Sequence, residues 1–165
     1  MLNLKSLSVF LILLLSETVH SQTIRINNFS DLMLALNSGE QVRAVMHYSQ
    51  CKWDTALQSQ GAIPEATASI VIDTWEYFAR GAIRNKMAFV VFSKSALIEN
   101  PIGKGFVYNY GKVRINEDNS VIVSAKYIHP KSLRTLMDES FRCTIHSGEN
   151  AGGVDLFKQE KQTGN

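Results

Sequence analysis

The dominant periodicity in the chain is two. In "QVRAVMHYS" the residues Val42, Ala44, Met46 and Tyr48 recur at alternate positions. That places one apolar edge on a half-buried strand and leaves Arg43, Val45 and His47 on the other face. "SIVIDTWEYFA" and "KMAFVVFS" are rich in β-branched and aromatic residues, and "RGAIRN" between them suits an antiparallel pair. "GFVYNYGKVRI" and "SVIVSAKYIH" flank the turn-forming "NEDN" and predict a hairpin. Tyr108, Tyr110, Lys112 and Arg114 share one face of its first arm, which reads as an ordinary wet sheet face rather than a site for a sugar or an acidic group. "FRCTIH" puts Cys143 on a strand, and "GGVDLF" predicts a final edge strand.

Helical spacing is confined to two places. In "NNFSDLMLALNSG", Ser30 is a good N-cap, Asp31 sits at the positive helix end, Phe29 and Leu34 form a hydrophobic staple, and Gly39 can end the helix in the left-handed conformation. In "HPKSLRTLMDES", Pro130 punctuates the chain, and Leu133, Leu136 and Met137 are spaced for a short helical turn from Ser132. The looser stretch "CKWDTALQSQGAIPEATA" reads as a functional loop or a cover, with Trp53 plugging the core in preference to forming an aromatic subsite. The sum is an α+β fold, mainly antiparallel β in a closed or strongly curved sheet, with a short N-terminal helix and one further helical turn.

The first residues break this pattern. Lys5 precedes a largely apolar run over residues 7–15, and Val19 and Ser21 have the small size that signal peptidase accepts. The expected leader covers residues 1–21, cut between Ser21 and Gln22, and directs the protein to secretion. The run is too short for a membrane span, and no later segment has the roughly 20 apolar residues that one requires. Residues 22–165 then form a single domain, with a polar C-terminal tail from about residue 158. Removing Lys5 and Glu17 from 17 basic and 15 acidic residues leaves 16 and 14, still +2. That balance opposes a nucleic-acid footprint and an acidic, mineral-chelating composition. "NFS" makes Asn28 a candidate glycosylation acceptor.

Two cysteines, Cys51 and Cys143, remain after processing. In an oxidising compartment they are expected to pair, closing a loop of about 90 residues and constraining the unfolded chain by about 4–5 kcal/mol. Two alternatives compete. His47 lies four residues before Cys51 and His146 three after Cys143, so the four could make a tetrahedral zinc site. A reduced Cys51 or Cys143 with His47 or His146 as base would instead be a nucleophile.

No other constellation converges. Asp73 and Glu76 point to opposite faces of a strand, and Asp138 and Glu139 are adjacent and do not face each other on a helix. His129, before Pro130, reads as closing a strand. There is no G-x-S-x-G, H-E-x-x-H, P-loop or EF-hand motif.

The helix "FSDLMLALNSGE" running into "VRAVMHYSQC", the central "MAFVVFS", the hairpin arm "SVIVSAKYI", and "FRCTI" before "GGVDLF" together resemble the VirK family of exported bacterial proteins and its animal relatives. The resemblance runs from about Asn28 to Phe157. "CKWDTALQSQGAIPEA" and "ALIENPIGKGF" are more similar to the secreted animal members. It implies an exported single domain with a cysteine pair, and brings no family active site to carry over.

The reading is therefore a secreted, disulfide-bonded, non-enzymatic domain without a cofactor. It is expected to bind an extracellular protein, glycan or matrix component, or to be built into extracellular material such as a shell or skeletal matrix. The alternatives are a secreted hydrolase assembled from His47, Asp73 or His129, and a venom or defence component. Composition leaves the oligomeric state open.

Overall fold

Alternating apolar and polar positions produce ten strands and one α-helix among the described residues, which are 23–54, 61–148 and 150–159 of the computed structural model. In chain order they are β1 (Thr23–Ile26), α1 (Phe29–Asn37), β2 (Val42–His47), β3 (Lys52–Trp53), β4 (Thr67–Ile72), β5 (Trp75–Phe78), β6 (Phe89–Glu99), β7 (Phe106–Asn116), β8 (Ser120–Ile128), β9 (Thr135–Ile145) and β10 (Gly153–Gln159). The expected leader and its cleavage point, and the far end of the polar tail, lie outside the described residues.

The strands form one mixed sheet in the order β4-β2-β10-β9-β8-β7-β6-β5, with β1 added on β10 and β3 on β9. Every pairing is antiparallel except β9 with β10. The connectivity dictates the shape. β4 and β5 stand at opposite ends of the order, yet only Asp73 and Thr74 separate them in the chain. That link spans about 11 Å at most, so the sheet must curl until its ends approach. The result is a half-barrel. At this approach Gly111 on β7 faces β4, where an added Cβ would lie in van der Waals contact with the Ile70 side chain at 3.4 Å.

The inner face is the core. Val42, Ala44 and Met46 of β2, Val113 and Ile115 of β7, Val121 and Val123 of β8, and Phe141 and Ile145 of β9 are buried there with Val154 and Leu156 of β10. α1 packs Phe29, Leu32, Ala35 and Leu36 onto the same cluster. Its N-cap is Asn28, two residues before Ser30: the Asn28 Oδ1 accepts from the Asp31 N–H at 2.9 Å, and its Nδ2 donates to the Asp31 carboxylate at 2.7 Å. Phe29 is therefore inside the helix rather than ahead of it, and Leu34 points to solvent. Both candidates can cap; the earlier one wins because it lets Phe29 reach the core.

Four further expectations change. The helical turn from Ser132 does not form; Leu133 takes a left-handed φ of 55° and the chain enters the eleven-residue β9. Pairing with β8 along nearly its whole length outweighs local helical spacing. "SIVIDTWEYFA" is two strands serving opposite ends of the sheet, and only its second half pairs with β6. β10 is not an edge: β2 takes one side, while β9 and then β1 share the other. The strand also continues through Lys158 and Gln159.

Cys51 and Cys143 are joined, with Cα atoms 4.6 Å apart. The bridge does not tie the two ends of the sheet together, because β9 is an interior strand. The disulfide instead pins the start of β3 onto β9, just where β10 joins β9's free side. Gly153 is required at that junction. It has φ +82°, and an added Cβ would lie 2.7 Å from the Cys51 Sγ.

Candidate functional site

The sheet carries one unusual carboxylate on each face. Asp155 sits on β10 between Val154 and Leu156, so period two turns it away from the core. It is nonetheless only 9% exposed, because basic side chains from neighbouring elements cover it. Arg25 of β1 donates an Nη1–H to Oδ1. His47 of β2 places Nε2 3.0 Å from Oδ2, and His146, just past β9, places Nδ1 2.8 Å from Oδ1. The Arg25 Nη1 also lies 2.9 Å from the His146 Nδ1. That nitrogen cannot accept from arginine while donating to Asp155, and donation to the carboxylate is the better-satisfied arrangement. Burial acts to raise the Asp155 pKa, but the hydrogen bonds from His146 and His47 and the charge of Arg25 outweigh it and hold the carboxyl below its ordinary range. On its outer side the His47 Nδ1 lies 3.4 Å from the Thr67 hydroxyl.

The second carboxylate is on the inner face. Along β9 the residues Met137, Glu139, Phe141, Cys143 and Ile145 alternate with Asp138, Ser140, Arg142 and Thr144. Glu139 thus occupies an apolar register. Beside it lies a cleft of about 430 Å³ lined by Tyr48, Trp53, Tyr127, Met137, Glu139 and Phe141, with Thr67 and Ile102 also in its lining. Phe141 is fully buried and forms the floor; Tyr48 and Trp53 pack on it with ring centroids 4.7 Å away in both cases. A second, smaller cleft of about 150 Å³ shares Tyr48, Ala68, Asn109 and Ala125 with the first and extends it toward Lys94 and Gly111. Burial raises the Tyr48 phenol above its ordinary pKa, and neighbouring Tyr127 and Glu139 push the same way. Trp53 both packs on the core and faces the cleft, its indole N–H donating to the Gly61 carbonyl at 2.9 Å.

The residues singled out in the sequence are distributed as follows. With the two sulfurs bonded to each other, neither the zinc set nor a cysteine nucleophile exists. Its two histidines do meet, on Asp155. His47, Asp73 and His129 do not form one site: Asp73 pairs with Lys94 at 2.5 Å, and the His129 Nδ1 accepts from the Ser132 N–H at 3.1 Å within its own turn. The Lys94 hydrogen bond lowers the Asp73 pKa. Tyr110 and Lys112 remain on the wet outer face, while Arg114 lies over the Phe89 ring at 3.7 Å. Asp155, Arg25, Tyr127 and Glu139 were not foreseen. For Glu139 a signal existed, a lone charge in the Met-x-Glu-x-Phe-x-Cys-x-Ile alternation.

Among known families, the one described as VirK protein matches residues 25–133. The chain belongs to the VirK family. The match ends before β9, so Glu139, Cys143, His146 and Asp155 lie beyond it. A crystal structure of a VirK family protein from Legionella pneumophila has the same fold, with a TM-score of 0.62 over 81% of this chain and 98% of that one, at 15% identity. No curated protein matches the chain in sequence. Among the described residues of this VirK member, no helix is long and apolar enough to cross a membrane.

Proposed function

We propose that this VirK domain is exported and acts by binding, with the cleft inside the curled sheet as its ligand site. The observation that carries the reading is that cleft, about 430 Å³, floored by Phe141 and walled by Tyr48, Trp53 and Tyr127. Its size falls in the range of small-molecule sites, and its aromatic and apolar walls carry Asn109, Glu139 and the tyrosine hydroxyls as polar groups. A leader over residues 1–21 and a Cys51–Cys143 bridge suited to an oxidising compartment support secretion. Two measurements test this. The mature protein recovered from medium should begin at Gln22, and a Trp53→Ala variant should lose binding at the cleft while remaining folded. An intracellular, uncleaved chain would contradict export.

Asn28 is the proposed glycan acceptor, and an enzymatic deglycosylation mass shift on the secreted protein would establish it. Recovery mainly from an insoluble, decalcified extract would favour a matrix role; recovery free in a gland or body fluid would favour a defence or venom role. A hydrolase reading has one observation in its favour, the Thr67–His47–Asp155 chain, which has the order of nucleophile, base and orienting carboxylate. It requires ester or amide hydrolysis that disappears in both Thr67→Val and His47→Gln.

A further inference from the structure

Among the described residues lining the larger cleft, Glu139 carries the one formal charge. Among the described residues it takes part in no ion pair, whereas Asp138, its neighbour on the outer face, is paired with Lys126 at 2.8 Å. Lys94, at the end of the adjoining cleft, is already paired with Asp73. The joined cleft is therefore a groove open to solvent and walled by aromatic rings, and among the described residues lining it Glu139 is the one charge without a paired countercharge. A carboxylate held among apolar groups costs free energy unless a countercharge arrives. Aromatic ring faces attract cations for the same electrostatic reason, through their negative π clouds.

We propose that the cleft binds a small organic cation. Its ammonium group sits against Tyr48, Trp53 and Tyr127 and faces the Glu139 carboxylate, and its apolar remainder runs along Ala68 and Ala125. The proposal rests on the cleft being the binding site and adds the ligand's chemical class. A neutral sugar would use the same rings but leave Glu139 without a partner, so charge complementarity favours the cation.

The test uses the mature, oxidised protein with two probes of similar size, benzyltrimethylammonium and neutral benzyl alcohol, followed by amide chemical shifts. The cation is expected to shift Tyr127, Met137 and Glu139 on saturation. Glu139→Gln should weaken it by about tenfold or more and leave the alcohol unchanged. Tyr127→Leu should weaken the cation more than the alcohol. If both probes bind the cleft equally in the wild type and in Glu139→Gln, the cationic class is overturned and the cleft survives as a site. If neither probe moves the cleft resonances, the proposal and the binding reading fail together.

Discussion

Asp155 and Glu139 lie on opposite faces of one sheet and have opposite surroundings. Asp155 is wrapped by a guanidinium and two imidazoles drawn from β1, β2 and the end of β9, and its charge is spent inside the molecule. Glu139 stands among tyrosines, a tryptophan and a methionine and, among the described residues, is in no ion pair. Seen together, they separate a carboxylate that holds strands together from one left available to something else. The first belongs to the account of stability, the second to the account of function, and substitution at the two should move stability in different directions.

The largest effect should come from the element between them. Replacing both Cys51 and Cys143 by alanine removes a cross-link spanning 92 positions and should cost about 4–5 kcal/mol in urea unfolding. Amide exchange should rise first at β3 and β10, on the Asp155 side of the comparison, and least at β6 and β7. Gly153→Ala comes next. Its positive φ and the 2.7 Å approach to the Cys51 sulfur should together cost about 3 kcal/mol, read as a lower urea midpoint without a change of slope.

Asp155→Asn should destabilise by about 1–3 kcal/mol, since Arg25, His47 and His146 lose their common acceptor's charge. The pH dependence has a definite sign. The folded Asp155 carboxyl is held below the unfolded aspartate value of about 3.9, so its contribution is fully present above that pH. It is lost as pH falls through the lower folded value. Asparagine at 155 should flatten that acid limb in a stability profile. Glu139→Gln should have the smallest effect, leaving stability unchanged or raising it by less than about 1 kcal/mol, as expected where function is kept at some cost to packing. A large loss there would move Glu139 into the same class as Asp155 and collapse the distinction.

Legibility in the sequence followed how local each signal was. The β7–β8 hairpin was readable almost to the residue, because alternation and the turn cluster "NEDN" lie within one short stretch. β2 was equally clear, including the placement of His47 away from the core. The disulfide followed from compartment and count. The second half of β9 was read correctly, but its first half was missed because Leu133, Leu136 and Met137 imitate helical spacing, and because Glu139 interrupts an otherwise apolar alternation. Placing Asp138 and Glu139 on a helical turn hid the residue of most functional interest. β10 was read as a strand, and only its place in the sheet was missed, for a different reason. Nothing within "GGVDLF" shows that three strands compete for its edges, and Asp155 owes its environment to Arg25 and His47, 130 and 108 positions away. The curl of the sheet was foreseen only as an architecture; its cause, two residues joining opposite ends of the strand order, appears once the pairing is known.

The most direct measurement is carboxyl carbon NMR of the oxidised wild-type protein titrated with benzyltrimethylammonium. The side-chain resonance of Glu139 should move to saturation while that of Asp155 stays in place. A stationary Glu139 resonance, or one that moves no more than Asp155, would contradict the division of labour between the two carboxylates.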